Sequence, residues 1–213
     1  MSTIVIAGGH GKIAMRLAGL LSARGDAVRS IIRNPGHAAG VHGTGAEPVV
    51  ADMEQLDSLA EFVEGADAVV FAAGAGPGSG PERKRTVDLG AAVKLLDAAR
   101  ATGVPRYLMV STIGASDPRS GPEAMRPYLE AKAEADAALS ASDRDWTIVR
   151  PGGLTDDPGT GLVSVSVEER RGSVTRDDVA AVLVGCLDDP RTVHKNFVLL
   201  QGQTPIAQAL ASL

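Results

Sequence analysis

The sequence predicts an α/β fold with a doubly wound parallel sheet of about seven strands and helices on both faces. Two observations carry that prediction. Apolar runs of strand length alternate along the 213 residues with segments of helical period, the pattern of strands covered on both sides by crossover helices. The first run, Ile4-Val5-Ile6-Ala7, breaks into the turn Gly8-Gly9-His10-Gly11-Lys12, which feeds Ile13, Leu17, Leu20 and Leu21 at helical spacing. A chain of this length suits one ordinary domain and can bury a large core.

In chain order, β-branched and apolar runs place strands at 3–7, 27–32, 47–50, 68–72, 107–111, 147–150 and 196–200. Helical periods fall around 12–23, 56–63, 84–101, 123–140, 176–187 and 205–213. The run 162–167 alternates apolar with polar residues and reads as an extra strand or hairpin outside the main sheet. The Gly/Pro-rich stretches 74–81 and 156–161 read as loops, and no internal repeat or low-complexity tail interrupts the pattern.

Composition narrows the class of partner. A net charge of -5 and the lack of an extended basic stripe argue against nucleic acid. The single cysteine, Cys186, allows no internal disulfide, and its neighbours Val182, Leu183, Val184 and Leu187 mark it as a buried helix thiol. The amino terminus runs straight into a strand, and no apolar run approaches the ~20 residues that span a bilayer. The expected location is the cytoplasm, away from membranes. Four scattered histidines and one cysteine offer no metal-ligand spacing, so no metal is expected, and Trp146 and most other aromatics read as core.

The glycine turn is the first chemical motif. A triphosphate-binding loop needs GxxxxGK followed by Ser or Thr, but Ile6 stands at the first glycine and Ile13 at the hydroxyl. Two dinucleotide registers remain, Gly8-x-x-Gly11-x-x-Ala14 and Gly9-x-Gly11-x-x-Ala14, both consistent with a Rossmann-type strand, turn and helix. In such a sheet, ligands bind beyond the carboxyl ends of the strands. That rule selects Gly8, Gly9, His10, Gly11, Lys12 and Ile13, then Arg33-Asn34-Pro35, Asp52-Met53 and Ala72-Ala73-Gly74. It also selects Val110, the turn Ser111-Thr112-Ile113, and Pro151-Gly152-Gly153-Leu154. Arg33 ends the second strand where a binder of NAD usually presents a carboxylate, so NADP(H) is expected in preference to NAD(H). Asp52 accepts a hydrogen bond from an adenine amino group or caps a helix starting near Glu54. His10 touches phosphate or is a solvated loop histidine. Arg83-Lys84-Arg85 attracts an anionic substrate or forms a solvated face.

The second motif is Tyr128-x-x-x-Lys132, which sets a phenol and an ammonium on one helix face. An isolated phenol is a poor proton donor near neutrality, and a neighbouring ammonium favours the phenolate. Together with Arg33, Asp52, Val87-Asp88-Leu89-Gly90, Val110-Ser111-Thr112 and Arg150-Pro151-Gly152-Gly153-Leu154, these motifs make nearly the whole chain resemble an atypical short-chain dehydrogenase/reductase. The resemblance is to the NAD(P)H-binding, NmrA-like and flavin-reductase-like group. It implies NADP along the carboxyl edge, Tyr128 as acid/base, Lys132 on the nicotinamide ribose, and the turn 151–154 beside the nicotinamide. Asp88 departs from the asparagine often found at that position, and Thr112 or Ser111 is the candidate for the hydroxyl that steadies a substrate carbonyl. The carboxyl-terminal part is short beside that of sugar-nucleotide epimerases and dehydratases, which argues against a bulky nucleotide sugar.

The expected protein is a single Rossmann domain, with residues of about 152–175 contributing a small substrate-binding portion. It reduces a small carbonyl or quinone-like molecule with NADPH, as a monomer or homodimer. The alternatives are an NADP-binding redox sensor without chemistry and a flavin or tetrapyrrole reductase that does not use Tyr128. Substrate selection is expected in residues 74–81, 113–127 and 154–171.

Overall fold

The computed structural model describes every residue except Pro77, which lies within the expected 74–81 loop and outside the described residues. The strands are β1 (Thr3–Ala7), β2 (Ala27–Ile32), β3 (Glu47–Val50), β4 (Ala68–Phe71), β5 (Arg106–Val110), β6 (Asp145–Pro151), β7 (Gly153–Thr155), β8 (Leu162–Ser166), β9 (Ser173–Thr175), β10 (Lys195–Gln201) and β11 (Thr204–Pro205). The helices are α1 (Lys12–Ala23), α2 (Ala38–His42), α3 (Ala60–Val63), α4 (Pro81–Arg83), α5 (Ala92–Thr102), α6 (Arg126–Ser140), α7 (Arg176–Asp188) and α8 (Ile206–Ala211). A π-helical stretch, Lys84–Ala91, joins α4 to α5.

The main sheet has nine strands in the order β11-β8-β10-β6-β5-β4-β1-β2-β3. The seven strands expected from sequence are its parallel members, with ends moved by a residue or two. The winding reverses where β1 lies between β2 and β4, with Ile6 opposite Ser30 on one side and Val70 on the other. Period-two alternation divides the core. Ile4 and Ile6 join Leu17 and Leu21 of α1 and Val179 and Leu183 of α7, whereas Val5 and Ala7 join Val63, Leu95 and Leu139 of α3, α5 and α6. Both sheet faces are therefore covered, which explains the near-continuous apolar runs.

Several expectations need correction. The 162–167 run lies inside the main sheet: β8 pairs antiparallel with β10, Val165 opposite Leu199, and β11 extends that edge. Val163 and Val165 reach the core beside Ile206 and Leu210, a tertiary contact that alternation alone does not specify. The helix expected over 56–63 is confined to α3, because Lys94 Nζ donates to the carbonyls of Met53, Glu54 and Leu56 at 3.0, 3.2 and 2.7 Å and holds that segment as a turn. The helix expected over 84–101 is divided by the π-helical stretch. The 3-10 turn Pro35–His37, α2 and the small parallel sheet of β7 and β9 carry no periodic signal long enough to read.

Local chemistry sets where α7 starts. Thr175 Oγ1 accepts from the Asp178 backbone N–H at 2.9 Å, and Asp178 in turn accepts from the backbone N–H groups of Thr160 and Gly161. That tie draws the 156–161 loop onto the helix. Further along α7, Cys186 is buried, and burial pushes its thiol up to about 12, as an inert core thiol requires. Among the described residues, no helix is long and apolar enough to cross a membrane.

Candidate functional site

Two adjoining cavities open along the carboxyl edge of the sheet, and Ala72, Ala73 and Gly74 after β4 line both. The first, about 340 Å³, lies at the reversal point. Gly8, His10 and Gly11 reach it from the turn after β1, Arg33 from the end of β2, and Asp52 and Met53 from the end of β3. Gly8 has φ +81°, and a Cβ there would come within 2.6 Å of the Ala73 backbone, so only glycine lets the turn lie against the end of β4. Gly11 occupies the N-cap of α1, and no side chain caps that helix, which leaves its first N–H groups for an anion. The cradle fits a dinucleotide pyrophosphate.

In this cavity Arg33 and Arg83 converge on a carboxylate that the motifs did not mark, Glu54. Glu54 Oε2 accepts from Arg33 Nη1 at 3.1 Å and from Arg83 Nη2 at 3.2 Å, while its Oε1 accepts from the Thr86 hydroxyl at 2.7 Å. Burial opposes ionisation of Glu54, but the Thr86 hydroxyl and the Arg83 and Arg33 guanidiniums outweigh it and hold the carboxyl below its ordinary range. Arg33 and Arg83 thus share the Glu54 carboxylate, and Asp52 lines the same cavity. The His10 and His37 rings stack 3.7 Å apart between centroids on the same cavity wall. Asp52 takes the capping role weighed above while still facing the cavity: its Oδ1 accepts from the Glu54 N–H at 3.0 Å, in a turn rather than at a helix start. Glu54 and His37 follow strand ends, so the carboxyl-edge rule applied one or two residues further would have reached them.

The second cavity is larger, about 820 Å³. Ile13, Val110, Ser111, Thr112, Tyr128, Lys132, Gly152 and Leu154 all line it, joined by Lys84, Asp88 and Arg176. Tyr128, Lys132 and Asp136 follow one another at four-residue intervals on α6 and so share a face. Lys132 is buried; its Nζ donates to the Val110 carbonyl at 3.1 Å and lies 3.5 Å from the buried Asp88 carboxylate. Of the three N–H donors of the ammonium the Val110 carbonyl takes one, and Asp88 Oδ1 pairs with the charge without accepting a hydrogen bond. Ser111 donates its only O–H to Asp136 Oδ2 at 2.9 Å, and that oxygen also accepts from Arg150 Nε at 3.0 Å. Ser111 therefore has no free donor for a substrate carbonyl, which leaves Thr112, whose hydroxyl has no acceptor among the described residues. Burial pushes the Asp136 carboxyl up, and Arg150, Ser111 and Lys132 offset only part of that shift.

Six of the selected residues line neither cavity: Gly9, Lys12, Pro35, Ile113, Pro151 and Gly153. Lys12 is exposed and pairs with Asp156 instead. Gly153 donates its N–H to the Gly172 carbonyl at 2.9 Å, at the start of the small sheet of β7 and β9. Gly152 does face the cavity, but a Cβ there would lie 2.4 Å from the Gly172 carbonyl oxygen, so packing against Gly172 already demands glycine.

A glycine cradle at the reversal point of a parallel sheet, continuous with a second pocket, defines a Rossmann-type dinucleotide-binding protein. The chain belongs to the NAD(P)H-binding family, whose profile matches residues 8–190. It is 39% identical over 212 residues to the "Uncharacterized sugar epimerase YhfK" of Bacillus subtilis, covering 99% of both chains. Among solved structures, the "Putative NAD-dependent epimerase/dehydratase" of Bacillus halodurans superposes with a TM-score of 0.94 at 38% identity, covering 100% of both chains. The oxidoreductase ylbE of Lactococcus lactis superposes at 0.88 with 30% identity, over 99% of this chain and 96% of that one. The fold is thus that of NAD(P)H-binding oxidoreductases, in keeping with the atypical short-chain dehydrogenase/reductase resemblance, and the family indicates a nicotinamide cofactor.

Proposed function

We propose that the protein is an NADPH-dependent oxidoreductase that reduces a small carbonyl or quinone-like substrate, with Tyr128 as proton donor. One observation supports this reading above the others: Tyr128, Lys132 and Thr112 line a cavity that joins the glycine cradle through Ala72, Ala73 and Gly74. When bound, the nicotinamide supplies the hydride. Residues of this chain do the rest. The Tyr128 hydroxyl gives its proton to the substrate oxygen, and Thr112 donates a hydrogen bond to the same oxygen. Lys132, anchored by the Val110 carbonyl and paired with Asp88, directs a remaining donor to the nicotinamide ribose. Gly8, Gly11 and the start of α1 hold the pyrophosphate, and Met53 and Asp52 border the adenine. Arg33 receives the 2′-phosphate, which makes NADP the preferred form. Residues of about 152–175 form the substrate-binding portion of one domain.

The test is Tyr128→Phe, assayed with NADPH against carbonyls, quinones, flavins and nucleotide sugars. The expected outcome is a fall in kcat of about 10²- to 10⁴-fold, the usual contribution of a general acid, with NADPH affinity preserved. Undiminished turnover in the variant would assign the reaction to a reductase that does not use this tyrosine. NADP binding without NADPH oxidation by any acceptor would favour a sensor.

A further inference from the structure

The charged residues lining the larger cavity are Lys84, Asp88, Lys132 and Arg176. Two of them cancel, because Asp88 and Lys132 are buried and 3.5 Å apart. A third has a carboxylate partner, although a shared one: Arg176 Nη1 lies 3.0 Å from Asp156, which Lys12 and Arg16 also approach. Lys84 differs. Its Nζ donates to the Gly76 carbonyl at 2.8 Å and sits 5.2 Å from the centre of the Tyr128 ring, with no carboxylate oxygen within 4.0 Å among the described residues. A half-buried, unmatched cation beside the proposed proton donor stands out in a chain of net charge -5. Ile13, Val110, Met125, Pro127 and Leu154 supply apolar wall in the same cavity.

We infer that the substrate is an oxo acid, a carbonyl compound whose carboxylate pairs with Lys84 while its apolar body lies against the cavity wall. The inference rests on the reductase reading for its chemistry. Because Lys84 flanks Tyr128, the carboxylate and the reacting carbonyl belong to the same end of the substrate. The reduction balances as before: the carbonyl π bond breaks, hydride from NADPH forms the C–H bond, the Tyr128 proton forms the O–H bond, and a hydroxy acid leaves with NADP. Two N–H donors of Lys84 remain for the carboxylate once Gly76 has taken one.

The test compares benzoylformate with its uncharged methyl ester as NADPH-dependent substrates of the wild type and Lys84→Met. It also compares benzoate with benzamide as calorimetric ligands of the NADP-loaded proteins. The wild type is expected to favour the acid over the ester at least tenfold in kcat/KM, and that ratio should collapse in the variant. Equal rates for acid and ester in the wild type, or a ratio unchanged by Lys84→Met, would overturn the inference. Binding decides separately from turnover: benzoate at least tenfold tighter than benzamide, with the difference lost in the variant, supports an anion site even if neither compound is reduced. Equal binding of the two ligands counts against it. Selective benzoate binding with no NADPH oxidation by benzoylformate or by any other carbonyl, quinone or flavin would therefore sink the reductase reading and leave the anion site standing.

Discussion

At the scale of single residues, the site depends on which charges are matched. Glu54 illustrates this, since one carboxylate holds Arg33 of the second strand end and Arg83 of α4. Its folded pKa lies below the ordinary 4.5, so its contribution to stability is present above that value and is lost as pH falls through the folded one. Glu54→Gln should lower the melting temperature at pH 7 by about 2–4 °C, the equivalent of ~1 kcal/mol in a domain of this size. Thermal melts of both proteins from pH 7 to 3 should show that gap closing on the acid side, and a gap of constant size would contradict the ion-pair account. Glu54 itself carried no motif in the sequence. Arg33 did, because the end of the second strand is a position with a defined electrostatic task, whereas the partner that restrains it comes from a different loop.

Among the elements, the β1–turn–α1 unit is the most constrained. Its glycine spacing was legible because the backbone conformation at Gly8 and its approach to Ala73 exclude any side chain. Gly8→Ala should destabilise the protein by about 1–3 kcal/mol from the positive φ alone, with the contact against Ala73 adding to that. Urea denaturation measures the change, and a midpoint equal to that of the wild type would mean the turn is looser than drawn. Other elements were opaque for identifiable reasons. The segment before α3 has the composition of a helix start, yet Lys94 from α5 takes its carbonyls, and a partner 38 to 41 positions away leaves no local pattern. The π-helical stretch directs Asp88 toward the larger cavity and Val87 and Ala91 toward the smaller, a division that a regular 3.6-residue period does not describe. Insertions of this kind recur at functional sites, and here the stretch borders both cavities.

The whole molecule couples its cofactor to its stability, because the cradle draws on the ends of β1, β2, β3 and β4 at once. A ligand that binds only the folded chain at 100 times its Kd stabilises by about 2.7 kcal/mol, or roughly 5–11 °C at this size. NADP should raise the melting temperature more than NAD at equal concentration, and Arg33→Ala should remove most of the difference. Equal shifts by the two nucleotides in the wild type would refute the proposed preference for the 2′-phosphate. The same geometry makes the larger cavity a property of the assembled chain: Thr112 follows β5, Tyr128 lies on α6, Leu154 on β7 and Arg176 on α7, and only the tertiary fold brings them together.

The sequence by itself determined the parallel strands, the glycine turn and the spacing of Tyr128 and Lys132, because each depends on backbone sterics or on a period of two or four residues. Tertiary structure decided the rest. It put β8 into the main sheet, tied the Ser111 hydroxyl to Asp136, reserved the Gly152 position for contact with Gly172, and left Lys84 unmatched beside Tyr128. Those outcomes turn on which distant group satisfies each hydrogen bond or charge, and a linear pattern holds no record of distance in space.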